Sequence, residues 1–98
     1  MFCHIITVMK YYEWNLEKNE SLKLERGVSF DDVLILIFEN KLLDTIDHPN
    51  KKKYPNQKMF VVEIDHYVYL VPFVEDEEKI FLKTIIPSRK ATKKYIVT

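Results

Sequence analysis

The run MFVVEIDHYVYLVPFV, Met59 to Val74, constrains this chain more than any other part of it. Two segments rich in β-branched and aromatic residues are separated by only Asp65 and His66, and a connection that short joins neighbouring antiparallel strands as a hairpin. Side chains alternate between the faces of a sheet, so the turn also sets the register: Ile64 opposite Tyr67, Val62 opposite Tyr69, Phe60 opposite Val71. A third segment, KIFLKTII, follows an acidic turn at Glu75 to Glu78 and extends the hairpin into a meander. Leu82 and Thr84 are expected on the first face, which is then almost wholly apolar. The second face carries Met59, Val61, Val68, Leu70, Pro72, Phe81 and Ile85, and also Glu63 and Lys83. Apolar residues on both faces of an antiparallel sheet imply that the second face is covered too, by the chain's own end or by a partner. Pro72 has no N–H for the ladder, so a bulge or a local edge is expected there.

Upstream, KYYEW reads as a short first strand. Asn15 caps a helix whose Leu16, Asn19, Leu22 and Lys23 trace one face, and Gly27 ends it at a position that wants a left-handed residue. Ser29, with Asp32 three residues on, opens a second helix with Val33, Leu34, Ile37 and Phe38 on one side. LLDTID is a further strand, and His48 to Lys58, with its prolines, asparagines and lysines, is a loop. The expected architecture is α+β: two N-terminal helices packed on a mainly antiparallel sheet of about four to five strands, with a short basic C-terminal helix.

A length of 98 residues and 47% hydrophobic residues fit one packed domain over residues 1–98. Met9 is an alternative start, which makes residues 1–8 an N-terminal extension and 9–95 the core. Cys3 stands alone, no signal-peptide pattern is visible, and no apolar run approaches the ~20 residues of a membrane span; the expectation is a cytoplasmic protein with no membrane partner. His4, His48 and His66 share no ligand spacing with each other or with Cys3, so neither metal nor cofactor is expected. With a single glycine there is no phosphate-cradling loop, and no nucleophile–base constellation points to small-molecule chemistry.

The 15 basic and 15 acidic residues cancel, but not locally. After Glu78 every charged side chain is cationic: Lys79, Lys83, Arg89, Lys90, Lys93 and Lys94. Pro87 and Ser88 start a helix that puts Arg89 and Lys90 in its first turn, where unpaired amides already carry partial positive charge. Each exposed cation there costs roughly 0.3 to 1 kcal/mol. The same arrangement suits an anion such as phosphate, because dipole, amides and an arginine fork converge on it. The plainer alternative is a solvated basic tail.

YEWNLEKNESLKLERGVSFDDV, then the meander and TIIPSRKAT, resembles the BrnT family of type II toxins, small RelE-like ribonucleases paired with an antitoxin. The likeness runs from about Lys10 to Tyr95 and rests on Glu13-Trp14-Asn15 with Lys18, on Gly27-Val28-Ser29-Phe30, and on Ile85-Ile86 followed by Ser88-Arg89-Lys90-Ala91-Thr92. Glu25-Arg26-Gly27 departs from the family's frequent Lys-His-Gly, and Asn15 stands where Asp is common. The resemblance implies a RelE-like fold and a metal-independent endoribonuclease that uses the RNA's own 2′-hydroxyl as nucleophile. Arg89 then stabilises transition-state charge, Lys58 clamps a neighbouring phosphate, and Tyr95 stacks on a base or shuttles a proton. Lys90, Lys93 and Lys94 would hold the RNA backbone.

Glu63 and Lys83, the ionisable pair on the second sheet face, join the catalytic candidates, with a simple cross-strand ion pair as the alternative. Trp14 is either a base-stacking platform or a core residue, and His48 either an acid–base group or a turn residue. The partners implied are substrate RNA and a cognate DNA-binding antitoxin, with operator DNA reached only through that antitoxin. The competing expectation is a non-catalytic module of the same fold that binds antitoxin or RNA.

Overall fold

The computed structural model describes residues 10–96; the N-terminal extension, the start at Met9, Cys3 and His4 lie outside the described residues. Nine elements follow in order: β1 (Tyr11–Trp14), α1 (Leu16–Arg26), α2 (Phe30–Phe38), β2 (Asp44–Asp47), β3 (Gln57–Ile64), β4 (Tyr67–Glu75), β5 (Lys79–Leu82), β6 (Ile86–Pro87) and α3 (Arg89–Tyr95). The α+β class is as expected. The sheet, however, has six strands in the order β1-β5-β4-β3-β2, with β6 on β4, and it is mixed because β1 runs parallel to β5. The two larger helices follow β1 and carry the chain from one edge of the sheet to the other.

Local chemistry sets both helices. Asn15 Oδ1 accepts the Lys18 amide at 2.9 Å to start α1, and Gly27 at φ 69° closes it in the left-handed region that glycine enters without steric cost. Ser29 and Asp32 form a reciprocal capping box at the head of α2. Of the face expected on α1, only Asn19 and Leu22 are buried, while Leu16 is exposed. α2 seats Phe30 and Val33 in the core with Leu36 and Ile37 against it, and Phe38 lies outside, edge-on to Tyr12 at 6.0 Å. The angle between α1 and α2 is held by Asn19, which is 4% exposed: its Oδ1 accepts the Phe30 amide at 2.7 Å and its Nδ2 donates to Asp31 at 3.2 Å.

The hairpin register is the one expected, with Ile64, Val62 and Phe60 opposite Tyr67, Tyr69 and Val71. Phe60 and Phe73 stack at 4.0 Å on the face that meets Leu22, Val28, Phe30 and Val33. β1 is held at the edge by Lys10 Nζ, which donates to Glu75 at 2.6 Å and to the Asp76 carbonyl at 2.8 Å.

The third strand of the meander differs from expectation. It breaks into β5 and β6, and the break lies opposite Pro72. Val74 pairs with Phe81 and Leu70 with Ile86, so the later segment holds one residue more than β4 over this interval, a bulge. Along β4 the amides of Val68, Leu70, Pro72 and Val74 face this partner, and Pro72 has none to give; its carbonyl accepts from Lys83 N at 2.9 Å. One inserted residue reverses the faces beyond it. Ile85, expected on the second face, is therefore fully buried in the helix-side core, and Thr84 sits in the bulge instead of continuing the first face. Arg26 closes the region by donating to the Ile85 carbonyl at 2.8 Å.

Asn19→Ala should destabilise the protein by about 2 kcal/mol, because it strands the buried Phe30 amide, whereas Leu24→Ala, at a residue 87% exposed, should change stability by less than about 0.5 kcal/mol. Urea unfolding of the two variants checks this; equal effects would mean that the Asn19 contact does not hold the helices.

Candidate nucleic-acid interface

Beyond β6 the chain turns onto the second face of the sheet, so that face is covered by the chain's own end. Ser88 N donates to the Val68 carbonyl at 3.0 Å. The Val68 amide in turn donates to Thr92 Oγ1 at 2.9 Å, and that hydroxyl donates to the Ser88 carbonyl at 2.7 Å. Ser88 Oγ accepts the Ala91 amide at 3.1 Å and caps α3. At the other end the Tyr95 hydroxyl donates to Asp44 Oδ2 on β2 at 2.8 Å. α3 thus spans from β4 to β2 although none of its residues is fully buried.

Between α3 and the sheet lies a cleft of about 280 Å³. Ile46, Met59, Val61 and Leu70 form its apolar floor, and Lys90, Lys94 and Tyr95 stand on the helix side. The cations of α3 therefore divide by helical position. Lys90 and Lys94, four residues apart, border the cleft; Arg89 and Lys93, also four apart, lie on the other flank of the helix and do not line it. All four are exposed, α3 contains no acid, and among the described residues no salt bridge engages them. Lys94 Nζ lies 5.3 Å from the centre of the Tyr95 ring.

The hydrogen bond between Tyr95 and Asp44 shifts both groups. The phenol donor holds the Asp44 carboxyl below its ordinary range, helped by the Thr45 amide and Lys94 and opposed by partial desolvation. Donating that bond favours the protonated phenol, so Tyr95 is raised, with desolvation and the Asp44 charge adding to the effect. Asp44 has no signal in the sequence beyond its place in the DTID strand; 51 residues separate it from Tyr95, and only the path of α3 brings the two together.

The other nominated residues are dispersed. Lys58 projects from the same face of β3 as Phe60, opposite to α3, and lines a separate cleft with Lys10, Glu75 and Asp76. Glu63 lies at the far end of β3, with His66 Nδ1 3.8 Å away. Lys83 sits in the bulge, and no ion pair joins it to Glu63 among the described residues. Trp14 is half-buried and stacks on Phe30 at 5.7 Å, a packing position. His48 is a turn residue: its Nδ1 accepts the Asn50 amide at 3.0 Å and its ring leans on Tyr54.

No helix is long and apolar enough to cross a membrane, and among the described residues no cluster of histidine, cysteine and carboxylate side chains is placed to hold a metal ion. No protein-family model, no curated protein and no solved structure matches the chain.

The two shifts have opposite pH signatures. The lowered Asp44 contributes stability above the ordinary carboxylate pKa that is lost as pH falls through its folded value; the raised Tyr95 contributes stability below the ordinary phenol pKa that is lost as pH rises through its folded value. Docking of α3, followed by amide exchange of Val68 and Thr92, should hold between about pH 4 and pH 10 and loosen at either extreme. Tyr95→Phe should weaken docking at neutral pH and abolish both transitions; an unchanged exchange profile in that variant would refute the role of the bond.

Proposed function

We propose that this protein is a small RNA-binding ribonuclease of the toxin type, with a RelE-like arrangement in which the C-terminal helix and the sheet face beneath it receive the substrate. The observation that carries this reading is the acid-free row of Lys90 and Lys94 along an apolar cleft that ends at Tyr95. Single-stranded RNA offers that pairing of chemistries: splayed bases for an apolar or aromatic surface, and phosphates for flanking cations. Cleavage through the 2′-hydroxyl requires removal of a proton, stabilisation of charge on the phosphorane and protonation of the leaving oxygen. Lys90 and Lys94 are suited to the charge, with Arg89 at the first turn of α3 in the role that the family resemblance implies. Tyr95, whose hydroxyl is held by Asp44, is suited to stacking its ring on a base. A cognate DNA-binding antitoxin would hold the chain and connect it to operator DNA.

The second reading is a module that binds RNA or antitoxin without cutting. It is favoured by the placement of Lys58 on the opposite face and Lys83 in the bulge, which leaves Asp44 and Tyr95 as the sole hydrogen-bonded ionisable pair in this neighbourhood among the described residues.

Incubation of the protein with end-labelled RNA in chelator should yield 2′,3′-cyclic phosphate ends. Lys90→Ala/Lys94→Ala, with an unchanged melting profile, should slow cleavage ~10²-fold or more. The same variant should lower the slope of log affinity against log salt by about 1.4, the amount expected for two phosphate contacts on a single strand. Binding without cleavage, with or without ribosomes, leaves the second reading; RNA affinity that ignores the double substitution overturns both.

A further inference from the structure

On the helix side of the molecule, α2 and the end of the β3–β4 hairpin enclose a groove of about 410 Å³. Asp32, Ile35 and Leu36 line it from one turn of α2, and Glu63, Ile64 and Asp65 from the end of β3 and the hairpin turn. Its volume lies within the ~300–1,000 Å³ range of ligand pockets. The lining alternates apolar surface with three carboxylates and contains no cation. The charges nearby do not neutralise it. Arg26, which donates to the Ile85 carbonyl, brings one positive charge that offsets the groove only in part, and His66 approaches Glu63 no closer than 3.8 Å and is charged only when protonated. Asp32 spends one oxygen on its helix cap, but Asp65 is exposed and has no salt bridge among the described residues. Ile35 is 54% exposed at the rim, and the apolar surface continues along α2 to Phe38 at 63%. Exposed aliphatic surface bordered by an excess of carboxylates is unfavourable in water and complementary to a segment with the opposite pattern.

We infer that this groove docks a cationic amphipathic peptide segment of a partner protein, with an aliphatic side chain against Ile35, Leu36 and Ile64 and flanking lysine or arginine on Asp32 and Asp65. The inference deepens the partner half of the proposed function and rests on it. It also places the partner against α2 and the hairpin turn, in a groove that shares no lining residue with the α3 cleft, so RNA and the segment occupy different surfaces.

The test titrates the full chain with a short fluorescent peptide of alternating lysine and leucine, and follows anisotropy together with backbone amide shifts. Saturable binding is expected, with shifts at Gly27, Leu36 and Ile64. Ile35→Ser and Asp65→Asn should each weaken it about tenfold while thermal unfolding stays cooperative, since Ile35 is largely outside the core and asparagine tolerates the left-handed φ of 53° at position 65. A peptide with glutamate for lysine should not bind. Parent-like affinity of either variant, equal binding of a peptide with serine for leucine, full displacement by spermine, or self-association of the chain through this surface would each overturn the inference. RNA affinity measured on the same samples separates the two proposals: both substitutions should leave it unchanged, whereas its absence in the parent protein would bear on the RNA reading alone.

Discussion

The missing amide of Pro72 governs more of this molecule than any single contact. It removes one ladder donor from the edge of β4 that meets β5 and β6, and the partner strand answers with one extra residue, so that five positions run opposite four. The extra residue reverses the faces, which drives Ile85 into the helix-side core and gives Arg26 a carbonyl to hold. It also sets the chain down at Ser88 beside Val68, where the unpaired N–H and C=O of β4 are taken by the cap and second turn of α3. Without that bulge, β5 would continue straight and the cationic segment would leave from a different point on the sheet.

The two faces of the sheet then acquire different characters. The helix side is a conventional core of phenylalanine, leucine and valine, closed by α1 and α2 through one buried polar residue, Asn19. The opposite side is covered by a seven-residue helix that buries no residue completely and is held by hydrogen bonds at its two ends. A cover of that kind leaves apolar surface within reach of exposed lysines. Charge separates as well: Lys90 and Lys94 border the α3 cleft, whereas Asp32 and Asp65 line the α2 groove. A protein of zero net charge thereby presents two surfaces of opposite sign, which suits two ligands held at once better than one.

Much of the local structure was legible beforehand. Asn15, Gly27, Ser29 with Asp32, and Ser88 are caps whose chemistry lies within a few residues of where it acts, and the Asp65-His66 turn dictates the hairpin register directly. The same logic failed where the deciding partner was distant. α2 turns Phe38 outward because Phe30, not Phe38, finds the core, and β1 joins β5 in parallel because the helices carry the chain across the sheet, which no local period reveals. For the candidate site, the cationic helix and its cap could be read from Ser88 to Tyr95. The separation of Arg89 from Lys90 relative to the cleft could not, nor could Asp44.

Sequence alone therefore determined the helices and their caps, the hairpin register and the concentration of positive charge at the C-terminal end, since each depends on covalent neighbours and on the alternation of side chains. Tertiary structure decided which side chains meet: Tyr95 with Asp44, Lys90 and Lys94 with the apolar floor, Lys58 and Glu63 apart from both. Those outcomes depend on the face reversal at the bulge and on the path of α3, both settled by competition among distant groups for the core and for the free edge of β4.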